Sequence, residues 1–426
     1  MRICISNGHL ICPDQLLDGQ GNLYVANGRI VSAGKQIDSF TADLEIALDG
    51  QYVCPGIVDL SVHTREPGFE HKATIRSETE AAVRSGVTSM VCPPNTRPVT
   101  DTPAVVELIH QRQSRFDKTR IYPLGALTKG LDGQQLTEVA ALRDAGCVGL
   151  SNADKPIVDT EVLRRAFEYA AGFDLPVFIH PEDSYLRNQG VMHEGKISTR
   201  LGLPGIPETA ETIAISRALL LIEQTGVTAH FCRLSCARSV ELIGAAKRQG
   251  LPVTADVGIC YLYLTELDVD GFNSQCRLWP PLRTDRDRQA LLDGLMSGVI
   301  DAICSDHQPH DEDAKAAPFS STEPGASTLE VLAPLSFNLA ATRGFNPEQI
   351  VRALTCRPAS IIGLSAGSLA SGAPADLFIF DNNQQWTVKA EKLTSAGKNT
   401  PFDDWEMVGK VSHTLVGGKL VFQDTN

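Results

Sequence analysis

The sequence has 426 residues, 42% of them hydrophobic and 21% charged, a length and balance that suit a large barrel plus a smaller unit with a sizeable core. Its net charge of −13 argues against nucleic acid or an anionic membrane as partner, and no run approaches the roughly 18 apolar residues of a membrane span. The opening "MRICISNGHLICPDQ" is too polar for a signal peptide, and 11 scattered cysteines read as reduced thiols, so a cytoplasmic protein is expected.

In chain order, residues 1–54 alternate polar and apolar positions around the turn pairs of "SNGHL", "LDGQG" and "LDGQY". From residue 55 to about 365, short apolar strands alternate with segments of helical period. "YVCPGIVDLSVH" is followed by "ATIRSETEAAVRSG", "VTSMVCPPN" by "TPAVVELIHQRQ", "RIYPLGALT" by "LTEVAALRDAG", and "CVGLSN" by "TEVLRRAFEYAAG". "PVFIHPED" leads to "TAETIAISRALLLIEQTG" and "VTAHFCRLS" to "SVELIGAAKRQG"; "PVTADVGI" and "DAICSDHQPH" complete eight strands. Several helical segments stop at Gly. Eight strand–helix repeats predict an α/β fold, a parallel (β/α)8 barrel. The alternative, an open doubly wound sheet, would carry a Gly-rich phosphate loop after its first strand, and none is visible. Residues 366–426 return to strand patterns in "ADLFIFD" and "HTLVGGKLVF", so both termini are expected to build one small β-sandwich beside the barrel.

The informative polar residues fall at the C-terminal ends of these strands, where barrels do chemistry. They are His63 and Arg65 after strand one, Asn95 after strand two, and Asn152 and Asp154 after strand four. His180 follows strand five, Arg233 strand six, and Asp306 and His310 strand eight. A lone His at a strand end is more often structural than functional, but convergence of several polar positions on one face marks a site. Cys232 and Cys236 lack a second pair and read as core thiols. His230 reads as packing, and Asp256 as a partner for loop backbone.

"DLSVHTREPG", "PPNTRPVTD", "GALTKG", "PPLRTDRDR", "SDHQPH" and "GAPADLFIFD" together resemble the dihydroorotase family of the amidohydrolase superfamily over essentially the whole chain. The resemblance implies a binuclear zinc site at the barrel mouth, with a substrate carboxylate held by an Arg, an Asn and a His. Its ligands would be a His-x-His pair, a bridging carboxylate after strand four, one His each from strands five and six, and an Asp that also serves as general acid/base. Here His63, His180 and Asp306 match ligand positions, and Arg65, Asn95 and His310 match the carboxylate-binding trio. Ser61, Ala153 and Arg233 stand where ligands are lost, with Asp154 one residue beyond the missing bridge. Tyr261 and Trp279 replace a His and an Asn of the family pattern.

Zinc takes about four ligands, three of them from protein at a catalytic centre, and a guanidinium repels the ion. The expected reading is a pseudoenzyme with no metal and no catalytic residue, similar to the non-catalytic dihydroorotase-like subunit that assembles with the aspartate transcarbamoylase catalytic chain in pyrimidine biosynthesis. The alternative is an active zinc-dependent cyclic amidohydrolase with a reduced site of His63, His180 and Asp306, in which Asp306 is catalytic. In the emptied site an unpaired buried Asp306 would be costly, so Arg233 is expected to pair with it.

Overall fold

The computed structural model describes residues 1–116 and 118–424. Its first five strands are β1 (Arg2–Cys12), β2 (Leu17–Ala26), β3 (Arg29–Ala33), β4 (Leu44–Ala47) and β5 (Tyr52–Pro55). Two of the three expected turn pairs are not turns. Asn7-Gly8 sits inside β1 at a register shift between Ile5 and Gly8, and Gly19 lies within β2 opposite Leu10. A bulge accommodates the extra residue and the positive φ of Asn7 without ending the strand. Only Gly50, at φ 81°, turns the chain between strands.

The barrel follows: β6 (Ile57–Asp59), β7 (Val87–Cys92), β8 (Arg120–Pro123), β9 (Gly125–Ala126), β10 (Leu150–Ser151) and β11 (Val177–Ile179). A side ladder of β12 (Met192–His193) and β13 (Gly205–Ile206) precedes β14 (Ala229–Phe231), β15 (Val253–Gly258) and β16 (Ala302–Cys304). Neighbouring barrel strands are parallel, and β7 and β14 are buried throughout, which is why they read as mostly apolar rather than alternating. The third strand is broken at Leu124: β8 pairs with β7, while β9 pairs with β10. First and last strands meet beyond β6 and β16, where Val62 bridges His307. The His307 amide donates to Ser61 O at 3.0 Å and the His63 amide to His307 O at 2.9 Å. This closure lies directly beneath the candidate site residues.

Three further strands, β17 (Leu377–Thr387), β18 (Glu406–Val416) and β19 (Lys419–Gln423), return to the first sheet. Antiparallel pairing of β17 with β5 gives the order β19-β18-β17-β5-β1-β2-β3, with β4 beside β1. Gly417 and Gly418 both take positive φ in the tight turn from β18 to β19, as a two-residue hairpin requires. This sheet has its own core of Ile3, Ile5, Leu10, Val53, Leu377 and Leu415. The chain is thus an α/β barrel with a β-rich unit built from both termini. No helix among the described residues is long and apolar enough to cross a membrane, and all 11 cysteines are free.

Candidate functional site

A cavity of about 250 Å³ opens at the C-terminal ends of the barrel strands. It brings together Ser61, His63, Arg65, Asn95, Ala153, Asp154, His180, Arg233 and His310, residues spread over 250 positions of sequence. Asp306 stands behind Arg233 and is nine-tenths buried. Arg65, Ala153, Arg233 and Asp306 all have positive φ, at 61°, 51°, 55° and 50°. This conformation turns the chain sharply off a strand end and is unfavourable for residues with a Cβ. Aspartate tolerates it, but Ala153 has no polar side chain to offset the strain. Ala153→Gly should therefore stabilise the fold by about 1 kcal/mol, a gain that denaturant unfolding would register as a higher midpoint.

The Arg233 Nη1 donates to Asp306 Oδ1 at 2.9 Å. The same carboxylate oxygen accepts from Gln308 Nε2 at 3.0 Å and Ser61 Oγ at 3.3 Å. Burial works against the Arg233 charge, but the Asp306 carboxylate overrides it and the guanidinium is held firmly protonated. Asp256 fixes the turn that presents Arg233: its Oδ1 accepts the Arg233 amide, and its Oδ2 lies 3.0 Å from His230 Nε2. His230 is therefore more than packing, since its other nitrogen lies 2.8 Å from Thr254 Oγ1. The ligand atoms of His230, Cys232 and Asp256 lie within 4.8 Å of one another. Yet imidazole and carboxylate already bind each other, and burial pushes the Cys232 thiol well up, away from the thiolate a metal needs.

His63 and His180 are both held well below the usual imidazole range, first by burial and then by neighbouring guanidinium charges. Both are therefore neutral, and both ring nitrogens of His180 are buried without a hydrogen-bond partner. Trp279 walls the cavity beside His180, with ring centroids 6.4 Å apart. The Arg187 guanidinium lies 4.2 Å over the Trp279 ring and 3.1 Å from Glu182. Tyr261 does not line the cavity; its hydroxyl donates to Pro280 O at 2.6 Å.

Arg65, Asn95 and His310, the expected trio, line the same cavity. Arg65 Nε donates to Pro309 O at 2.9 Å and Nη2 lies 3.1 Å from His310 Nε2. Asn95 Nδ2 donates to Asp154 Oδ1 at 3.4 Å, so Asp154 faces the trio. Burial, then the charges of Arg65 and Lys72, keeps His310 neutral. Sequence reasoning missed Gln308 and Ser61 as donors to Asp306. The signal for Gln308 was present in "SDHQPH", where it stands two residues beyond the aspartate.

This donor set does not fit a zinc pair. Ala153 offers no ligand atom, Ser61 spends its hydroxyl on Asp306, and Asp306 Oδ1 already accepts from three donors. A fixed cation 2.9 Å from that carboxylate occupies the ground a divalent ion needs.

A profile of the family described as Dihydro-orotase-like matches residues 50–239, and one of the Amidohydrolase family matches residues 339–422. A dihydroorotase-like protein of Pseudomonas putida is 48% identical over 420 residues, covering 99% of both chains. A dihydroorotase-like protein of Pseudomonas aeruginosa is 46% identical over 423 residues, covering 99% of this chain and 100% of that one. A dihydroorotase of Syntrophus aciditrophicus is 40% identical over 425 residues, covering 100% of both. Among solved structures, L-hydantoinase (dihydropyrimidinase) from Arthrobacter aurescens superposes with a TM-score of 0.89. It is 24% identical and covers 100% of this chain and 96% of that one, a likeness of fold.

Proposed function

The chain belongs to the dihydroorotase-like family of the amidohydrolases, and from that premise we propose that it is a non-catalytic member of it. In this reading it serves as a structural or regulatory subunit with the catalytic chain of aspartate transcarbamoylase in pyrimidine biosynthesis. The observation that carries the reading is the Arg233–Asp306 ion pair. It supplies from within the protein the counter-charge that a metal would give Asp306. The scaffold around it is intact, with barrel strands that meet at Val62 and His307 and a continuous terminal sheet, as a subunit that works through its surface requires.

One observation favours a second reading. Both His180 nitrogens lack partners in the buried wall of the cavity, as they would if the ring awaited a ligand in a mononuclear site with His63 and Asp306. Metal analysis of protein purified without chelator separates the two: the first reading expects far less than one zinc per chain, the second close to one. Co-expression with the transcarbamoylase catalytic chain tests the partnership. The two should co-elute on size exclusion through interfaces of at least ~1,200 Å² each. Separate elution at micromolar concentration, with transcarbamoylase activity indifferent to this chain, would overturn it.

A further inference from the structure

Outside the barrel cavity lies a second one, of about 550 Å³, formed where three distant segments meet. His71 and Lys72 come from the loop after β6, Lys315 from the polar segment after β16, and Lys398 from the crossover between β17 and β18. Lys315 is 7% exposed, a burial rare for lysine without a carboxylate beside it. None reaches it at salt-bridge distance among the described residues. Its Nζ donates instead to Ser274 O at 3.1 Å and Arg277 O at 3.2 Å. Lys398 likewise donates only to carbonyls, those of Leu393 and Ser395. Behind Lys315, half-buried Arg277 spends Nη1 on the carbonyls of Phe319 and Thr322. Each of these three cations is thus held by its own backbone carbonyls, with no carboxylate at salt-bridge distance among the described residues. Burial, reinforced by the Arg277 charge, brings the Lys315 ammonium down to about 7. That is the behaviour of a buried cation lacking a counter-ion.

We propose that this cavity binds a phosphate-bearing small molecule, whose phosphoryl oxygens accept from Lys315 and Lys398 and whose remainder fills the space toward His71. Lys72 is already paired with Glu323 and serves as a wall rather than a ligand. Glu312 and half-buried Asp311 also line the cavity; Glu312 is exposed, where solvent screens its charge. The volume exceeds what a lone phosphate fills, which favours an organic phosphate. Such a ligand would tie residues 311–325 to the loop after β6 and the β17–β18 crossover. Since His310 lines both cavities, its presence would be felt at the barrel mouth.

Calorimetry on the full chain with inorganic phosphate, pyrophosphate and a nucleoside monophosphate, each against sodium chloride of equal ionic strength, tests this. Binding is expected, and Lys315→Met and Lys398→Met should each weaken it at least ~10-fold by removing a charge-assisted donor. Arg164→Gln, a surface cation that lines neither cavity, should leave it unchanged. Tighter binding of the nucleotide identifies an organic phosphate as the ligand class; equal or tighter binding of inorganic phosphate identifies the free ion. If Lys315→Met fails to fold by circular dichroism, the less buried Lys398→Met carries the test, together with protection of Lys398 from acetylation by saturating pyrophosphate. A Kd above ~10 mM for all three probes, or affinity unchanged in both lysine variants, would overturn the proposal.

Discussion

Arg233→Ala should destabilise the fold by about 3–5 kcal/mol, the range for stranding one partner of a buried ion pair. Asp306 would then sit nine-tenths buried with only the Ser61 hydroxyl and the Gln308 amide to satisfy it. Burial already raises the Asp306 pKa, and loss of the guanidinium that opposes this would raise it further. A carboxyl whose folded pKa lies above its unfolded value binds the proton more tightly when folded, so stability falls as pH rises through that window. The deficit of Arg233→Ala should therefore be largest near neutrality and shrink in mild acid. Arg233→Met with Asp306→Leu removes both charges at similar volume and should recover most of the loss, since apolar replacements of buried pairs are often neutral or better. Urea unfolding of wild type, Arg233→Met, Asp306→Leu and the double variant at two pH values gives the complete cycle, with Arg233→Ala measured beside it. An Arg233→Ala variant as stable as wild type would mean that water reaches Asp306 and the pair is not closed.

Much of the fold was legible because its causes are local. Strands buried on both faces are mostly apolar, and "VTSMVC" and "AHF" fit this with only Thr88, Ser89 and His230 as polar members. The turn at Gly417-Gly418 is written in its own two residues. What escaped was set by partners far along the chain. Asn7-Gly8 carries a turn signature, but pairing with β2 on one side and with β4 and β5 on the other keeps the chain extended and makes it a bulge. The break at Leu124 follows from barrel closure, which no window of ten residues contains. At the site, the approach of Arg233 to Asp306 followed from charge alone, because a fixed cation after β14 and a buried carboxylate after β16, on either side of β15, have no cheaper arrangement. The cavity at Lys315 was invisible for the opposite reason: Lys72, Lys315 and Lys398 look like ordinary surface lysines until the fold brings their segments together.

With zinc supplied, the wild-type chain should not interconvert carbamoyl aspartate and dihydroorotate above the uncatalysed rate. Opening a cyclic amide at neutral pH requires a hydroxide-like nucleophile, and closing it expels the same group; metal-bound water reaches that state with a pKa of about 7, far below that of bulk water. That gap of roughly 8–9 units exceeds anything the remaining side chains supply. His63 and His180 are neutral and well placed to accept a proton, but a lone general base contributes only about 10²–10⁴-fold. Asp306, the family's acid/base position, has Oδ1 engaged by three donors, and taking up a proton would cost it the charge that pairs with Arg233. Restoring Ser61→His, Ala153→Asp and Arg233→His together should give a protein that retains zinc through dialysis, because it returns three ligand atoms and removes the opposing charge. Turnover in that variant should remain low. Trp279, held by Arg187 against the cavity wall, still fills space beside His180, whereas Tyr261, turned toward Pro280, does not stand in the way. Adding Trp279→Asn should then raise activity further. Wild-type turnover that a chelator abolishes would defeat the non-catalytic reading and leave His63, His180 and Asp306 as the ligands of a working site.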